Sequence, residues 1–403
     1  MLRVPVHAIE PGMILARPIA LPQNPNRFLL PREREIPMEL VPRLMQLGIH
    51  EVWVRHRDLE FLEEILDEGL SDLQQDVHRR VRRSFDAIIR DSTAELDVLG
   101  FQQSIGELFA FLRGHAGTRI LLQKLDAFDD YLTSHSTNTC YLALLVGMKL
   151  EGYLIEERHF KTPRDAKDLH LLGLGCLLHD VGKTLVPREI LNKPGPLDPD
   201  ELAEMRRHTI YGYEMVRRSI PPSAAEIALH HHQRWDGTGY PGRIHRRTRE
   251  ETAPLAGRKI PVLSRITIVA DVYDAATSRR SYADAKLPVQ VLHEMRHRCQ
   301  GFFDPVVEAA FYRTVPPFPI GQLVTLSNGV EAAVIDFRPE CPARPRVRCL
   351  RTPQGEPFDH PEREEIELRA CPDLEIAWVD GQDVRPYTAS QQTSEVAGAA
   401  VGA

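Results

Sequence analysis

Leu178-His179-Asp180-Val181-Gly182-Lys183 is the stretch that decides how the rest of the chain reads. It closes an apolar helical run, and its adjacent His and Asp offer a metal one imidazole nitrogen and two carboxylate oxygens. A carboxylate that uses both oxygens can bridge two ions, and Lys183 follows where an anionic substrate would meet it. An HD dipeptide alone arises by chance. Here His208, the pair His231-His232 and Asp271 follow, each in its own apolar, helix-like segment.

The neighbouring segments extend this pattern. Phe128, Tyr131, Leu132, His135, Thr139, Leu142 and Val146 share one face at the 3.6-residue period. His135 in that face has two readings, a hydrogen-bonded core residue or a ligand. A helix over 165–180 places Leu172, Cys176 and His179 on one stripe and ends at Gly182. Asp198 and Glu201 form a capping-box pattern opening a helix that carries Met205, His208, Gly212, Tyr213 and Val216. Pro222 to Arg234 reads as a helix burying Ala224, Ile227, Ala228 and His231, and Ile260 to Thr277 as one carrying Ile266, Ala270, Asp271 and Asp274.

Helices that each present His or Asp inward are costly to bury unless a cation takes the lone pairs. Nitrogen and carboxylate ligands without thiolates suit iron, manganese, zinc and other first-row ions. Two ions ~3.5–4 Å apart, bridged by a carboxylate and a water, would generate hydroxide and neutralise a phosphate.

Composition bounds the rest. A chain of 403 residues predicts two to four units, and 42% hydrophobic with 27% charged residues is ordinary for a globular protein. A net charge of −7 gives no basic signature for DNA. The longest apolar stretch, Cys140 to Leu150, falls short of the ~20 residues that cross a bilayer, so no membrane insertion is expected. The opening MLRVPVHAIEPGM lacks an apolar signal core, and cysteines 140, 176, 299, 341, 349 and 371 form no CxxC pair. A cytoplasmic protein with reduced thiols is the expectation.

The chain divides into a small α+β N-terminal accessory domain (1–58), a helical linker (59–114), a helical catalytic domain (115–316), a small β-rich module (317–380) and a disordered polar tail (381–403). Strands are expected at Val4–Ile9, Met13–Ile19 and Val52–Val54, with a helix from Glu39 to Leu47. Further strands are expected at Leu323–Leu326, Glu331–Phe337, Arg346–Leu350 and Glu364–Leu368. In the linker, Leu62, Leu66, Leu70, Leu73, Val77, Val81, Phe85 and Ile88 form an apolar stripe. It is either a homodimer seam or a face packed on the next domain. The RRVRR run at 79–83 reads as the solvated side of that helix.

HDVGK, RRHTIYGYEM, HHHQRWDGTGYPG and VADVYDAATS together resemble the HD-GYP family of the HD superfamily of metal-dependent phosphohydrolases. The resemblance covers about residues 115–316. It implies an all-α HD-type catalytic domain that hydrolyses the 3′-5′ phosphodiester of cyclic di-GMP to linear pGpG, and on to GMP in one version of the reading. It also implies a dinuclear centre, iron or manganese, held by His135, His179, Asp180, His208, His231, His232 and Asp271, with Asp180 bridging. Lys183 would contact the scissile phosphate, and Trp235, Gly239, Tyr240, Pro241 and Arg280 would meet substrate, although Trp235 and Tyr240 read equally as core packing.

This sequence departs from the family at several points. Tyr131 stands where some members carry a Glu that helps hold a third metal, so two metals are expected. Gln233 replaces the usual Glu after the double His. After Arg280 come Ser281, Tyr282 and Ala283, which lack a later basic residue, and Arg243–Pro254 is an insertion that either helps bind the dinucleotide or a protein partner or is a solvated loop. Two other readings stay open: a weakly catalytic cyclic di-GMP-binding or protein-interaction module, and an HD hydrolase of another nucleotide.

Overall fold

The structure is a computed structural model that describes residues 1–21, 24–47, 49–65, 68–91, 96–114, 131–242, 252–278, 285–360 and 363–392. The N-terminal unit holds strands β1 (Leu2–Pro5), β2 (Ile19–Leu21) and β3 (Asn24–Leu30), helix α1 (Val41–Gln46) and strand β4 (Glu51–Val54). β1 pairs antiparallel with β4, Leu2 opposite Val54 and Val4 opposite Val52. The strand expected over Val4–Ile9 stops at Pro5 and becomes a 3-10 turn at Val6–Ala8, because proline has no N–H to continue a ladder. Met13–Ile19 is likewise only isolated bridges at Ile14 and Leu15 before β2 begins.

Helices α2 (Phe61–Ile65), α3 (Glu68–Arg90) and α4 (Val98–Gly114) occupy the segment expected to be a linker. They are not a linker. Val77, Val81, Phe85 and Ile88 of α3, with Phe101, Ile105, Leu108 and Leu112 of α4, are buried in the same apolar cluster as the helices that follow. Leu62 joins the N-terminal core instead, and Leu73 is partly buried against the helical one. Leu66 and the side chain of Leu70 lie outside the described residues. The described part of the stripe from Leu73 to Ile88 therefore packs on the helices that follow. On the RRVRR run, Arg79 and Arg80 pair with Asp76 at 3.4 and 2.9 Å, while Val81 points into the core.

The helical unit continues through α5 (Tyr131–Met148), α6 (Glu151–Glu157), α7 (Pro163–Ala166), α8 (His170–Leu178), α9 (Arg188–Leu191), α10 (Pro199–Arg206), α11 (His208–Val216), α12 (Pro222–His230), α13 (Val262–Thr277), α14 (Pro288–Arg298) and α15 (Pro305–Thr314). α5, α8 and α13 are buried on nearly every side and pack on one another, so the polar side chains of α5 and α13 are enclosed with the apolar ones. The Asp198–Glu201 capping box is present as expected. The helix it opens is two helices, breaking at Arg207 so that His208 starts α11. The helix expected over 165–180 is also split, into α7 and α8.

After α15 a sheet of six antiparallel strands forms: β5 (Leu323–Leu326), β6 (Glu331–Val334), β7 (Arg346–Arg351), β8 (Glu365–Glu367), β9 (Ile376–Val379) and β10 (Gln382–Asp383), in the order β10-β9-β5-β6-β7-β8. β10 and a final helix, α16 (Arg385–Gln392), lie where a disordered tail was expected. Val384 and Thr388 are buried, and the Tyr387 ring meets His293 of α14 edge-on at 5.5 Å. So few apolar residues leave no periodicity to read, and docking on α14 supplies the stability that the local sequence lacks.

The two flanking units share a core. Ile320, Ala333, Ile335 and Leu350 are buried with Leu2, Val4, Leu15 and Leu44, and the Arg3 N–H donates to the Gly321 carbonyl at 2.8 Å. All six cysteines are free thiols. Among the described residues, no helix is long and apolar enough to cross a membrane.

The turn that follows α8 sets the site. Val181–Leu185 is a 3-10 turn whose Gly182 lies so close to α11 that a Cβ there would overlap the His208 carbonyl and the Gly212 nitrogen. Only glycine lets the segment carrying Asp180 sit against the start of α11. Gly182→Ala is expected to lower stability by about 3 kcal/mol, the upper range for forcing a methyl into a packed contact. Urea unfolding of the variant checks this, and an unchanged midpoint contradicts it.

Candidate metal centre

Each candidate imidazole is aimed by its own backbone. His179 follows the last residue of α8 and His231 the last of α12, positions where carbonyls of the final turn have no helical partner. His179 Nδ1 donates to the Cys176 carbonyl at 2.7 Å, and His231 Nδ1 to the Ala228 carbonyl at 3.0 Å. His208, just past α10, donates from Nδ1 to the Met205 carbonyl at 2.6 Å. Those acceptors require the proton on Nδ1, so each ring turns an Nε2 lone pair inward. His135 sits in mid-helix, where no backbone carbonyl is spare. A carboxylate does the same work, with Asp274 Oδ2 2.7 Å from His135 Nδ1.

The inward nitrogens converge on Asp180. Its Oδ1 lies 3.4 Å from His208 Nε2 and 3.5 Å from His231 Nε2. Its Oδ2 faces His179 Nε2 at 3.4 Å, His135 Nε2 at 3.6 Å and Lys183 Nζ at 2.5 Å. Asp271 closes the far side, with Oδ1 2.9 Å from His135 Nε2 and 3.9 Å from His179 Nε2, and Oδ2 3.9 Å from His232 Nδ1. Three overlapping sets result, Asp180-His208-His231-His232, His135-His179-Asp180 and His179-His231-Asp271, the first two of which share the Asp180 carboxylate.

These residues fit cations. Among the described residues, His179 Nε2 and Asp180 Oδ1 are buried with no hydrogen-bond partner, an expensive arrangement. His208 Nε2 and His231 Nε2 lie 3.2 Å apart with both Nδ1 protons engaged elsewhere, so two lone pairs face one another unless a positive centre stands between them.

The electrostatics agree. Burial pushes the His179 imidazole down to about 4 and His208 to about 3, and it holds His232 well below its ordinary value. These rings stay neutral and able to ligate. Burial alone would raise the Asp180 carboxyl, but Lys183 and the imidazoles outweigh it and hold it well below the usual carboxylate range. Asp271 is likewise held low, chiefly by its bond to His135. Burial opposes a charge on His135, yet hydrogen bonds to Asp271 and Asp274 prevail and raise it to about 9. The proton it carries offsets the carboxylates as a metal would.

The glycine-rich loop after His232 folds back over the centre. The Tyr240 ring stacks on His232 with centroids 4.8 Å apart, its N–H donates to the His232 carbonyl at 3.0 Å, and the Arg206 guanidinium lies 5.0 Å over the ring. A Cβ on Gly239 would strike the Gln233 and Arg234 backbone, so this return needs glycine.

Trp235 goes elsewhere. Its backbone is pinned to Phe302 and Gly257, and its ring meets Arg265, a buried cation paired with Glu157 and Asp304. That matches the packing reading rather than the substrate one. Gln233 does not face Asp180 or Asp271 either; it bonds the Pro241 carbonyl and the Leu255 N–H. Tyr131 lies parallel to His135, centroids 5.4 Å apart. Arg280, Ser281, Tyr282 and Ala283, and the insertion over 243–251, lie outside the described residues.

Asp274 is the residue that the sequence reading passed over as a site member. Its signal was there: it lies three positions after Asp271, on the same face of α13. Asp274→Ala is expected to weaken metal binding roughly 10–100-fold, as loss of a ligand's supporting carboxylate does. Manganese titration followed by calorimetry measures it, and native affinity in the variant would overturn the assignment.

Comparison with known proteins now adds to this geometry. Residues 161–307 match a family model described as HD domain, and residues 323–382 one described as KOW domain associated with HD domain. The chain is 33% identical over 259 residues, 63% of its length, to the Pseudomonas aeruginosa protein named cyclic di-GMP phosphodiesterase PA4108, of which it covers 56%. It is 43% identical over 131 residues, 32% of its length, to the Vibrio cholerae protein named 3′3′-cGAMP-specific phosphodiesterase 2, of which it covers 23%. The chain thus spans about half or less of the length of these relatives. A solved structure described as Bd1817, an HDG"Y"P protein from Bdellovibrio bacteriovorus, aligns over 77% of this chain and 97% of its own at 15% identity, with a TM-score of 0.45. The helical unit of this chain is an HD domain, followed by a KOW domain of the kind associated with HD domains.

Proposed function

We propose that the chain is a metal-dependent cyclic di-GMP phosphodiesterase acting in the cytoplasm. The observation that carries this reading is the Asp180 carboxylate, whose two oxygens face two separate groups of imidazoles. We assign His135, His179, Asp180 and Asp271 to one divalent cation, and Asp180, His208, His231 and His232 to a second. Iron or manganese suits this donor set, which contains no thiolate. Tyr131 beside His135 supports two ions rather than three. Cations held there supply Lewis acidity, activating a water and neutralising charge on the phosphodiester.

The chain's own residues do the rest. Lys183 stands with its ammonium on Asp180 Oδ2 and is partly exposed, within reach of a phosphate oxygen entering the centre. There it offsets negative charge as the P–O bond breaks and can protonate the leaving 3′ oxygen, releasing linear pGpG. The neutral His179, His208 and His232 leave no proton competing for the metal lone pairs. Tyr240 and Arg206 offer a base or phosphate a flat, partly cationic surface at the mouth. The identity to a 3′3′-cGAMP-specific relative favours one second reading, hydrolysis of that mixed dinucleotide. Gln233 carries no weight against catalysis, because it serves the loop and not the centre.

The test is metal analysis of anaerobically purified protein with turnover assays on cyclic di-GMP and 3′3′-cGAMP. Two ions per chain and conversion of cyclic di-GMP to pGpG are expected, and Asp180→Ala is expected to abolish turnover and lose metal. Normal turnover in that variant, or native protein that holds no metal, would sink the reading. Exclusive turnover of 3′3′-cGAMP would move the assignment to the second substrate.

A further inference from the structure

We propose that Tyr240 is the positioning residue for His232, its ring holding that ligand as a backbone carbonyl holds His179, His208 and His231; the metal part of this rests on the two-cation reading above. His232 stands apart from the other imidazoles of the centre. It is partly exposed, whereas His135, His179, His208 and His231 are buried. Among the described residues no hydrogen bond engages its side chain, and its Nδ1 contact with Asp271 Oδ2, at 3.9 Å, is too long for one. A metal-bound imidazole ordinarily has its second nitrogen held by a carbonyl, a carboxylate or a water, which sets the plane of the ring. Without that partner the ring turns about its side-chain bonds, and the lone pair loses its aim.

Ring contacts take the place of the missing bond. The Tyr240 ring lies on His232 nearly parallel, with centroids 4.8 Å apart and 24° between the planes. His232 also meets the His208 ring edge-on at 5.1 Å and the His231 ring at 4.2 Å, and those two rings are fixed through their own Nδ1 atoms. Tyr240 is fixed in turn. Its N–H donates to the His232 carbonyl at 3.0 Å, the Arg206 guanidinium lies 5.0 Å over its ring, and Gly239 before it lies against the Gln233 backbone.

The backbone bond between residues 240 and 232 thus brings together the same two residues whose rings stack. Parallel stacking restricts a ring to one plane, which is what a ligand without a hydrogen bond lacks. Among the described residues no hydrogen bond engages the Tyr240 hydroxyl, so the aromatic face makes the contact and the hydroxyl adds nothing to it. The role therefore asks for an aromatic ring at 240, and its effect passes to the metal through His232.

The experiment measures manganese affinity by calorimetry on the full-length protein, comparing native with Tyr240→Phe, Tyr240→Ala, His232→Ala and the double variant of the last two. Tyr240→Phe is expected to bind as native does. Tyr240→Ala is expected to bind roughly 10–100-fold more weakly, the loss that follows removal of a ligand's outer support. On the His232→Ala background Tyr240→Ala is expected to add no further loss, because the residue through which Tyr240 acts is gone. Native affinity in Tyr240→Ala, equal weakening in Tyr240→Phe, or an undiminished effect on the His232→Ala background would each overturn the proposal. Thermal melts of the metal-free variants check the fold. If Tyr240→Ala is unfolded at the assay temperature, Tyr240→Leu, which keeps apolar bulk without an aromatic face, takes its place with the same expectations. If native protein binds no manganese, the metal reading fails separately. Positioning is then judged on crystal structures of metal-free native and Tyr240→Ala protein, where one and the same His232 rotamer in both overturns it.

Discussion

A buried carboxylate with imidazoles on both of its oxygens is the constraint on which this structure depends. Asp180 is fully enclosed, and an enclosed carboxylate without partners would cost several kcal/mol. Five helical segments meet so that it has them: α8 and its following turn, the α10–α11 junction, the end of α12, and the middles of α5 and α13. Even the glycine at 182 follows from this, because a side chain there would push Asp180 away from His208.

The way in which the imidazoles are aimed has a simple origin. A helix must leave its last carbonyls unpaired, and a histidine just past the end can donate to one of them. His179, His208 and His231 each take such a carbonyl three residues back, which fixes the tautomer without a further side chain. His135 lies inside α5, where every carbonyl is taken, and so needs Asp274. The difference between a ligand at a helix end and one in mid-helix thus accounts for the extra acidic residue on α13.

Much of the site was legible because ligand chemistry is local. His179-Asp180 and His231-His232 are neighbours in sequence, and the glycines of the WDGTGYP loop announce a tight return. Gln233 and Trp235 were not legible for a physical reason: both follow metal-facing histidines, but past the helix end the backbone turns, and sequence proximity no longer fixes direction. Gln233 turns to Pro241 and Leu255, and Trp235 to Arg265. The final β10 and α16 were missed because their stability comes from pairing with β9 and docking on α14, not from their own propensity.

The sequence by itself determined the helical character of the central unit, the donor set, the bridging candidate and the strand-rich unit after it, because periodicity and ligand type are properties of short segments. Only the tertiary structure brings His135, which the residues alone left open between core and ligand, beside Asp180 and Asp271. It lies before the matched HD segment, on a face that reads equally as core, and α5 reaches Asp180 solely by packing on α8 and α13. The same packing turned an apparent linker into part of the core and covered its apolar stripe from Leu73 to Ile88. Burial of a helix face depends on what covers it, and no residue on that face records the answer.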